Sequence, residues 1–113
     1  EALVGELVHA AQPVAIWPSL NANTVEDCIS SAPVAVRALA RVADLSSRLA
    51  AVELMIAACA IDLRGCGATM AEPLSAAHTA IRRVSAVSID HRPLGAEVEA
   101  LAEAVRAGTF AGA

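Results

Sequence analysis

The sequence has almost no aromatic side chains. Trp17 and Phe110 are the two aromatics among 113 residues, and tyrosine is missing altogether. The large anchors of an ordinary free-standing core are therefore nearly absent. Alanine takes their place, with 28 copies in a chain that is 57% hydrophobic. Side chains this small favour close packing between helices.

Lysine and a long apolar run are also lacking. All eight basic residues are arginine, and twelve acidic residues bring the net charge to -4. This balance argues against a surface that neutralises phosphates, so we expect no nucleic-acid partner. The longest apolar run, Leu54 to Ile61, is much shorter than the roughly 20 residues of a membrane span, so we expect no membrane partner.

The cysteines indicate the cellular compartment of the protein, and the first residue indicates whether its N-terminal part is present. Cys28, Cys59 and Cys66 are odd in number and have no paired spacing, which favours a reducing cytoplasm over a disulfide framework. The chain begins at Glu1 within a helical pattern and shows no secretory signal. We therefore expect residues 1–113 to be a single helical segment that lacks the N-terminal part of its protein.

Apolar periodicity predicts an all-α fold with one long central helix and shorter flanking helices. No strand pattern is found. Pro33 either sits in the first turn of the long helix, with Ser30 or Ser31 as cap, or kinks a helix that begins earlier. Gly65 is placed to end that helix. The predicted helices are Ala2–Ala11, Pro33–Arg64, Ala71–Val87 and Leu94–Ala107.

The long helix is too long and too apolar for its own domain. From Pro33 to Arg64 it would span about 48 Å, whereas a compact domain of this size has a radius of gyration of about 13 Å. From Leu49 to Leu63 it is apolar on every side except at Glu53 and Asp62, and such a helix is buried all round. We therefore expect other segments or subunits to complete an oligomeric helical bundle.

A polar stretch precedes the long helix and is the first candidate for a site. Between Asn21 and Pro33, polar side chains run into a helix N-terminus, where free NH groups and the dipole attract anions and orient carboxylates. The same residues also suit a capping cluster, with Thr24 or Asp27 as N-cap and Glu26 compensating the dipole. The residue pattern alone leaves both interpretations open.

Three motifs, in the same order, resemble the histidine ammonia-lyase family of aromatic amino acid lyases and 2,3-aminomutases. Glu26-Asp27, with a following Ser and Pro, is similar to the family's Gln-Glu-Asp-His-Val-Ser segment. The stretch from Leu49 to Arg64, which reads LAAVEL and then AIDLR, resembles the family's AIELL and ALDLR helix. Asp90-His91-Arg92-Pro93-Leu94, followed by VEAL, resembles its DRPL and IEAL ending.

The resemblance implies the C-terminal part of a larger, nearly all-helical enzyme that assembles as a homotetramer. In that family a 4-methylidene-imidazol-5-one (MIO) group, formed from an internal Ala-Ser-Gly, attacks an aromatic amino acid, which then loses ammonia. This chain contains neither Ala-Ser-Gly nor tyrosine. The resemblance therefore assigns the MIO group and the catalytic tyrosine to the missing N-terminal part. The implied partners are the rest of the subunit, the other subunits and the amino acid substrate.

The resemblance also implies site residues. Glu26 matches the family's active-site glutamate, which lies near the substrate amino group and would hold or deprotonate it. Val25 stands where many members have Gln, and Asn23 is expected in the same substrate-binding pocket. Both the identity of the aromatic amino acid and the choice between lyase and aminomutase stay open. A non-catalytic helical assembly or interaction module is the alternative function.

The other titratable residues are interpreted as structural. Glu53 and Asp62 are about 13 Å apart along the helix, and we expect ion pairs with Arg64 or another chain. No histidine or cysteine spacing indicates a metal site, and the three histidines are expected at the surface. Arg82-Arg83 is interpreted as a solvated face, and Asp90 and Arg92 as residues that fix the last turn. A reactive Cys28 is a minor alternative.

Overall fold

A computed structural model describes residues 1–14, 31–87 and 92–111, together with the backbone of two short strands. The chain forms two compact units, Glu1–Ser46 and Ser47–Ala113. The predicted all-α class is confirmed, because helices account for most of the described residues. The elements are α1 (Ala2–Ala10), β1 (Ser19–Leu20), β2 (Cys28–Ile29), α2 (Ala32–Arg64), α3 (Glu72–Val84) and α4 (Gly95–Arg106), with a 3-10 turn at Gly67–Thr69.

The first unit contains α1, the two strands and the start of α2. Arg41 of α2 reaches Glu6 of α1, with Nη2 2.7 Å from Oε2. Both side chains are about half exposed, so this ion pair contributes little to stability. The strands pair antiparallel, with Ser19 opposite Ile29 and Leu20 opposite Cys28. The sequence does not predict this pairing, because an alternating pattern cannot be recognised over two residues.

Helix α2 has the bounds that its end residues predict. The amides of Val34 and Ala35 donate to the carbonyl of Ser31, at 3.0 and 2.9 Å. Pro33 therefore lies in the first turn, where a missing NH is harmless. The helix ends at Arg64, and Gly65 follows in the left-handed region with φ of 63°. The long helix and its glycine terminator are both confirmed.

The core of the second unit joins the C-terminal half of α2 to α3 and α4. Its buried members include three alanines and no aromatic residue: Ala51, Met55, Ala58, Ile81, Leu101 and Ala102, with Leu54, Val98 and Phe110 packed against them. Two polar contacts add to it. Arg106 of α4 donates to the hydroxyl of buried Ser47, at 2.7 Å, and Arg48 pairs with Glu99 at 3.0 Å. The alanines let the helices approach closely where large side chains are missing.

Helix α3 departs from its prediction in length and in burial. It ends at Val84 rather than at Val87, and Ser85 takes an extended conformation. The apolar spacing predicts that Leu74, Ala77, Ile81, Val84 and Val87 face inward. Ile81 is buried, but Leu74, Val84 and Val87 are 56%, 37% and 59% exposed. The inward placement of those three residues is therefore wrong for this chain. Periodicity identifies the apolar face of a helix, whereas burial also depends on how far the neighbouring helices extend.

Helix α2 is buried on one side only within this chain. Ala51, Met55 and Ala58 are buried, while Ile56 and Leu63 are 65% and 80% exposed. Helix α2 therefore carries more apolar surface than the other described residues cover. In the described ranges, no helix combines the length and the apolarity needed to cross a membrane.

Candidate functional site

The predicted site residues lie between the two strands. Asn23, Val25 and Glu26 fall within residues 21–27, outside the described residues. The described flanks are the paired residues Leu20 and Cys28. The connection that carries the predicted site therefore leaves and returns at one antiparallel pair, just before α2. Cys28, whose backbone alone is described, is the first residue after this connection.

A partly buried ionic cluster links α2 to α3. Asp62 lies 2.9 Å from Nε2 of His78 through Oδ1, and 2.5 Å from Nη2 of Arg82 through Oδ2. Arg82 also donates to Sγ of Cys59, at 3.5 Å, and to the carbonyl of Ser85, at 3.0 Å. The Asp62, His78 and Arg82 side chains are only 22%, 18% and 13% exposed. Their charges therefore interact with limited screening by water.

The cluster fixes the charge of its members. Burial raises the pKa of Asp62, but hydrogen bonds from Arg82 and His78 outweigh it and bring that pKa below its ordinary value. Burial likewise lowers the pKa of Arg82, while hydrogen bonds to Cys59 and Asp62 raise it above its usual range. Asp62 is thus an ionised carboxylate already engaged by two donors. Such a group stabilises the contact between helices and is poorly suited to accept a proton from a substrate.

The expected roles of these residues need correction. Arg82 was predicted on a solvated face and His78 at the surface, and both predictions are wrong. Asp62 does form an ion pair, but with Arg82 rather than with Arg64. The signal was present in the sequence, since His78 and Arg82 are four residues apart and share one helix face with Ile81 between them. Glu53 and Arg64 have no charged partner within the described residues.

A second cluster fixes the approach to α4. Nη1 and Nη2 of Arg92 both donate to the carboxylate of Glu97, and the Ser85 hydroxyl donates to the same group at 2.5 Å. The hydrogen bonds from Arg92 and Ser85 lower the pKa of Glu97. Arg92 also donates to the carbonyl of Ala86, at 3.4 Å. The prediction that Arg92 fixes this turn is confirmed, while Asp90 lies outside the described residues.

An apolar groove of about 470 Å³ lies between α2 and the end of α4. Its lining is Ala50, Glu53, Leu54, Ala57, Val105, Gly108, Phe110 and Ala111. Glu53 is the one ionisable group among these residues, so the groove has no acid and base pair for catalysis. Across the described ranges, no group of three or more His, Cys, Asp or Glu side chains could hold a metal ion.

Comparison with known proteins identifies the family. A sequence model described as aromatic amino acid lyase matches residues 1–83, well over half of the chain. No curated protein and no solved structure matches. The matched region includes the Glu26-Asp27 motif and the whole of α2, while the Asp90 to Leu94 motif lies beyond it. This all-α chain belongs to the aromatic amino acid lyase family.

Proposed function

We propose that this chain is part of an enzyme that eliminates ammonia from histidine, tyrosine or phenylalanine, or moves the amino group to the neighbouring carbon. The observation that carries the proposal is the family match over residues 1–83, which includes Glu26. The clusters around Asp62 and Glu97 join helices to one another and offer no competing catalytic group. The proposed chemistry therefore centres on the connection between β1 and β2.

Glu26 acts on the substrate amino group in this proposal. An aromatic amino acid carries an ammonium group at neutral pH, and a carboxylate is its natural hydrogen-bond acceptor. A partly desolvated carboxylate is, in general, suited to holding or deprotonating an amine. Asn23 adds an amide that can donate and accept hydrogen bonds. Val25 replaces a Gln found in many relatives and so removes one polar contact to the substrate.

The electrophile comes from outside this chain. Ala-Ser-Gly, from which the MIO group forms, is absent from the 113 residues, so none of them can generate it. When bound to the substrate, the group would supply an electrophile that withdraws electrons and so helps the amino group to leave as ammonia. This chain contributes the substrate-binding residues Asn23 and Val25 and the carboxylate of Glu26. The remainder of the subunit completes the site.

The proposed assembly is a homotetramer in the cytoplasm, with α2 in a helical bundle. Support comes from Ile56 and Leu63, which are 65% and 80% exposed on α2. Large apolar side chains grouped on one surface are typical of protein contacts. The same exposure favours the second candidate, a non-catalytic assembly module that keeps the bundle surface without lyase activity.

Replacement of Glu26 by Gln in the complete protein tests the proposal. Turnover of histidine, tyrosine and phenylalanine is followed by absorbance of the unsaturated acid, and aminomutase products are separated by chromatography. Loss of the carboxylate should lower kcat by about 100-fold or more and leave the sedimentation coefficient unchanged. The matched control, Glu72→Gln, alters an exposed glutamate of α3 and should retain wild-type turnover.

Two results would contradict the proposal. Nearly normal turnover by Glu26→Gln would reduce Glu26 to a capping residue, whose loss costs about 1 kcal/mol of stability. A complete wild-type protein that converts none of the three amino acids, yet assembles, would favour the assembly module.

A further inference from the structure

One surface of α2 has an arrangement that neither the ionic clusters nor the predicted site explains. Its residues are all exposed and recur every three or four positions, which places them on one face of the helix. We call this surface the α2 ridge: Glu53, Ile56, Ala57, Ala60, Leu63 and Arg64. Ile56 and Leu63 are its large apolar members, at 65% and 80% exposure.

The charges of the α2 ridge lie at its two ends. Glu53 and Arg64 have opposite sign, and neither has a charged partner within the described residues. They are eleven residues apart, about 16 Å along the helix axis, so they cannot reach each other within one chain. Ala57 and Ala60 lie symmetrically between them. From its N-terminal end to its C-terminal end, the α2 ridge is therefore acidic, then apolar, then basic.

We propose that the α2 ridge binds the same ridge of a second copy of this chain, in antiparallel orientation. A twofold axis midway between Ala57 and Ala60 relates the copies, as in an isologous contact. Glu53 then faces Arg64 of the partner subunit, and the partner subunit's Glu53 faces Arg64. Leu63 of the partner subunit lies on the same side of the contact as Ile56, about 3 Å from it along the axis. The two alanines at the centre allow the helices to approach closely.

Charge selects the antiparallel arrangement over the parallel one. In a parallel contact each Glu53 would face a second Glu53 and each Arg64 a second Arg64, and like charges repel. In the antiparallel contact both end pairs attract, and Ile56 and Leu63 leave water together. The inference goes beyond the proposed homotetramer by naming one of its contacts, and it does not depend on the lyase chemistry.

Charge reversal and its rescue test the contact. In the complete protein, Glu53→Arg and Arg64→Glu should each raise the subunit dissociation constant about ten-fold, since either change replaces two attractions with two repulsions. The double variant restores both attractions and should return the constant to about the wild-type value. Glu103→Arg, at a 74% exposed position of α4 outside the α2 ridge, is the control and should not change it.

The rescue is specific to a second copy. Because Glu53 and Arg64 cannot meet within one helix, a double variant can recover assembly only through another chain. Single variants that assemble normally, or a double variant no better than the singles, would overturn the proposal. The latter result would indicate that another segment of the same subunit covers the α2 ridge.

A milder variant covers the case in which charge reversal prevents folding. Leu63→Ser removes an apolar side chain that is 80% exposed in one copy, so the subunit should fold while its dimer weakens. Leu74→Ser, at a 56% exposed position of α3, is the matched control and should assemble normally. Equal assembly of these two variants would contradict the contact. Turnover is measured separately with saturating substrate, so loss of the contact is distinguishable from loss of Glu26 chemistry.

Discussion

Arg82 of α3 holds Asp62 of α2 at 2.5 Å, and both side chains are more than three quarters buried. The pair is more than an attraction between two charges. A carboxylate and a guanidinium taken out of water depend on each other, because either one left alone lacks its compensation. The pair therefore specifies which residues of α2 and α3 must face each other.

Removal of Arg82 should be more harmful than removal of its neighbour. Arg82→Met keeps the length of the side chain but leaves Asp62 with His78 as its remaining partner, so the urea midpoint should fall clearly. Arg83→Met alters an exposed arginine next in sequence and should leave the midpoint nearly unchanged. Equal midpoints for the two variants would show that the ion pair adds nothing to stability.

Acid should weaken the second unit through two carboxyl groups. The pKa values of Asp62 and Glu97 are lowered in the folded chain, so the unfolded chain takes up their protons first as pH falls. Their contribution to stability is therefore complete above the ordinary pKa values, near 4, and is lost as pH falls through the lowered values. Urea titrations at several pH values between 7 and 2 measure this loss.

The double variant Asp62→Asn and Glu97→Gln tests whether these two carboxyl groups cause the loss of stability in acid. It should be less stable than the wild type at pH 7 and should lose less stability on acidification, because the two titrating groups are gone. An unchanged dependence on pH would assign the acid sensitivity to other carboxyl groups.

The small core should make Leu101 unusually important. Leu101 is fully buried in a cluster with three alanines and Met55, in a chain with two aromatic side chains. Leu101→Ala should lower the free energy of unfolding by about 3 kcal/mol, through lost burial and the cavity left behind. Leu74→Ala, at a 56% exposed position, should change it by about 0.5 kcal/mol or less. Chemical denaturation monitored by circular dichroism compares the two.

Gly65 and Gly67 provide a paired test of backbone conformation. Gly65 has a φ of 63°, which side chains disfavour, whereas Gly67 has no positive φ, and a methyl group at either position meets open space. Gly65→Ala should therefore destabilise the protein by about 1 kcal/mol. Gly67→Ala should be neutral or stabilise it slightly, because it restricts the unfolded chain. Similar losses for both variants would contradict a conformational cause.

The sequence predicted features that depend on neighbouring residues better than those that depend on distant ones. Helix α2 follows from a stretch free of glycine, with Pro33 in its first turn and Gly65 after its last. The end of α3 and the exposure of Leu74 depend on how far other helices extend, which periodicity does not encode. The predicted exposure of Arg82 is wrong for the same reason, because its partner Asp62 is distant in sequence.

The predicted site shows the same difference between features set by neighbouring residues and features set by distant ones. Glu26 was proposed from a short motif and its similarity to a family, and the family is now established. Its role in catalysis remains a prediction, because residues 21–27 lie outside the described residues. The pairing of β1 with β2 was not predicted, since two-residue strands carry too little pattern. It nevertheless fixes where the connection with Glu26 begins and ends.

The short strand pair also bears on how much sequence change the chain can accept before α2. The pairing of Leu20 with Cys28 holds the two described strands together, whatever the number of residues that join them. In general, doubling the length of a flexible connection between two fixed ends costs only about 0.6 kcal/mol in closure entropy. Insertions between the two strands should therefore leave the strand pair and α2 intact.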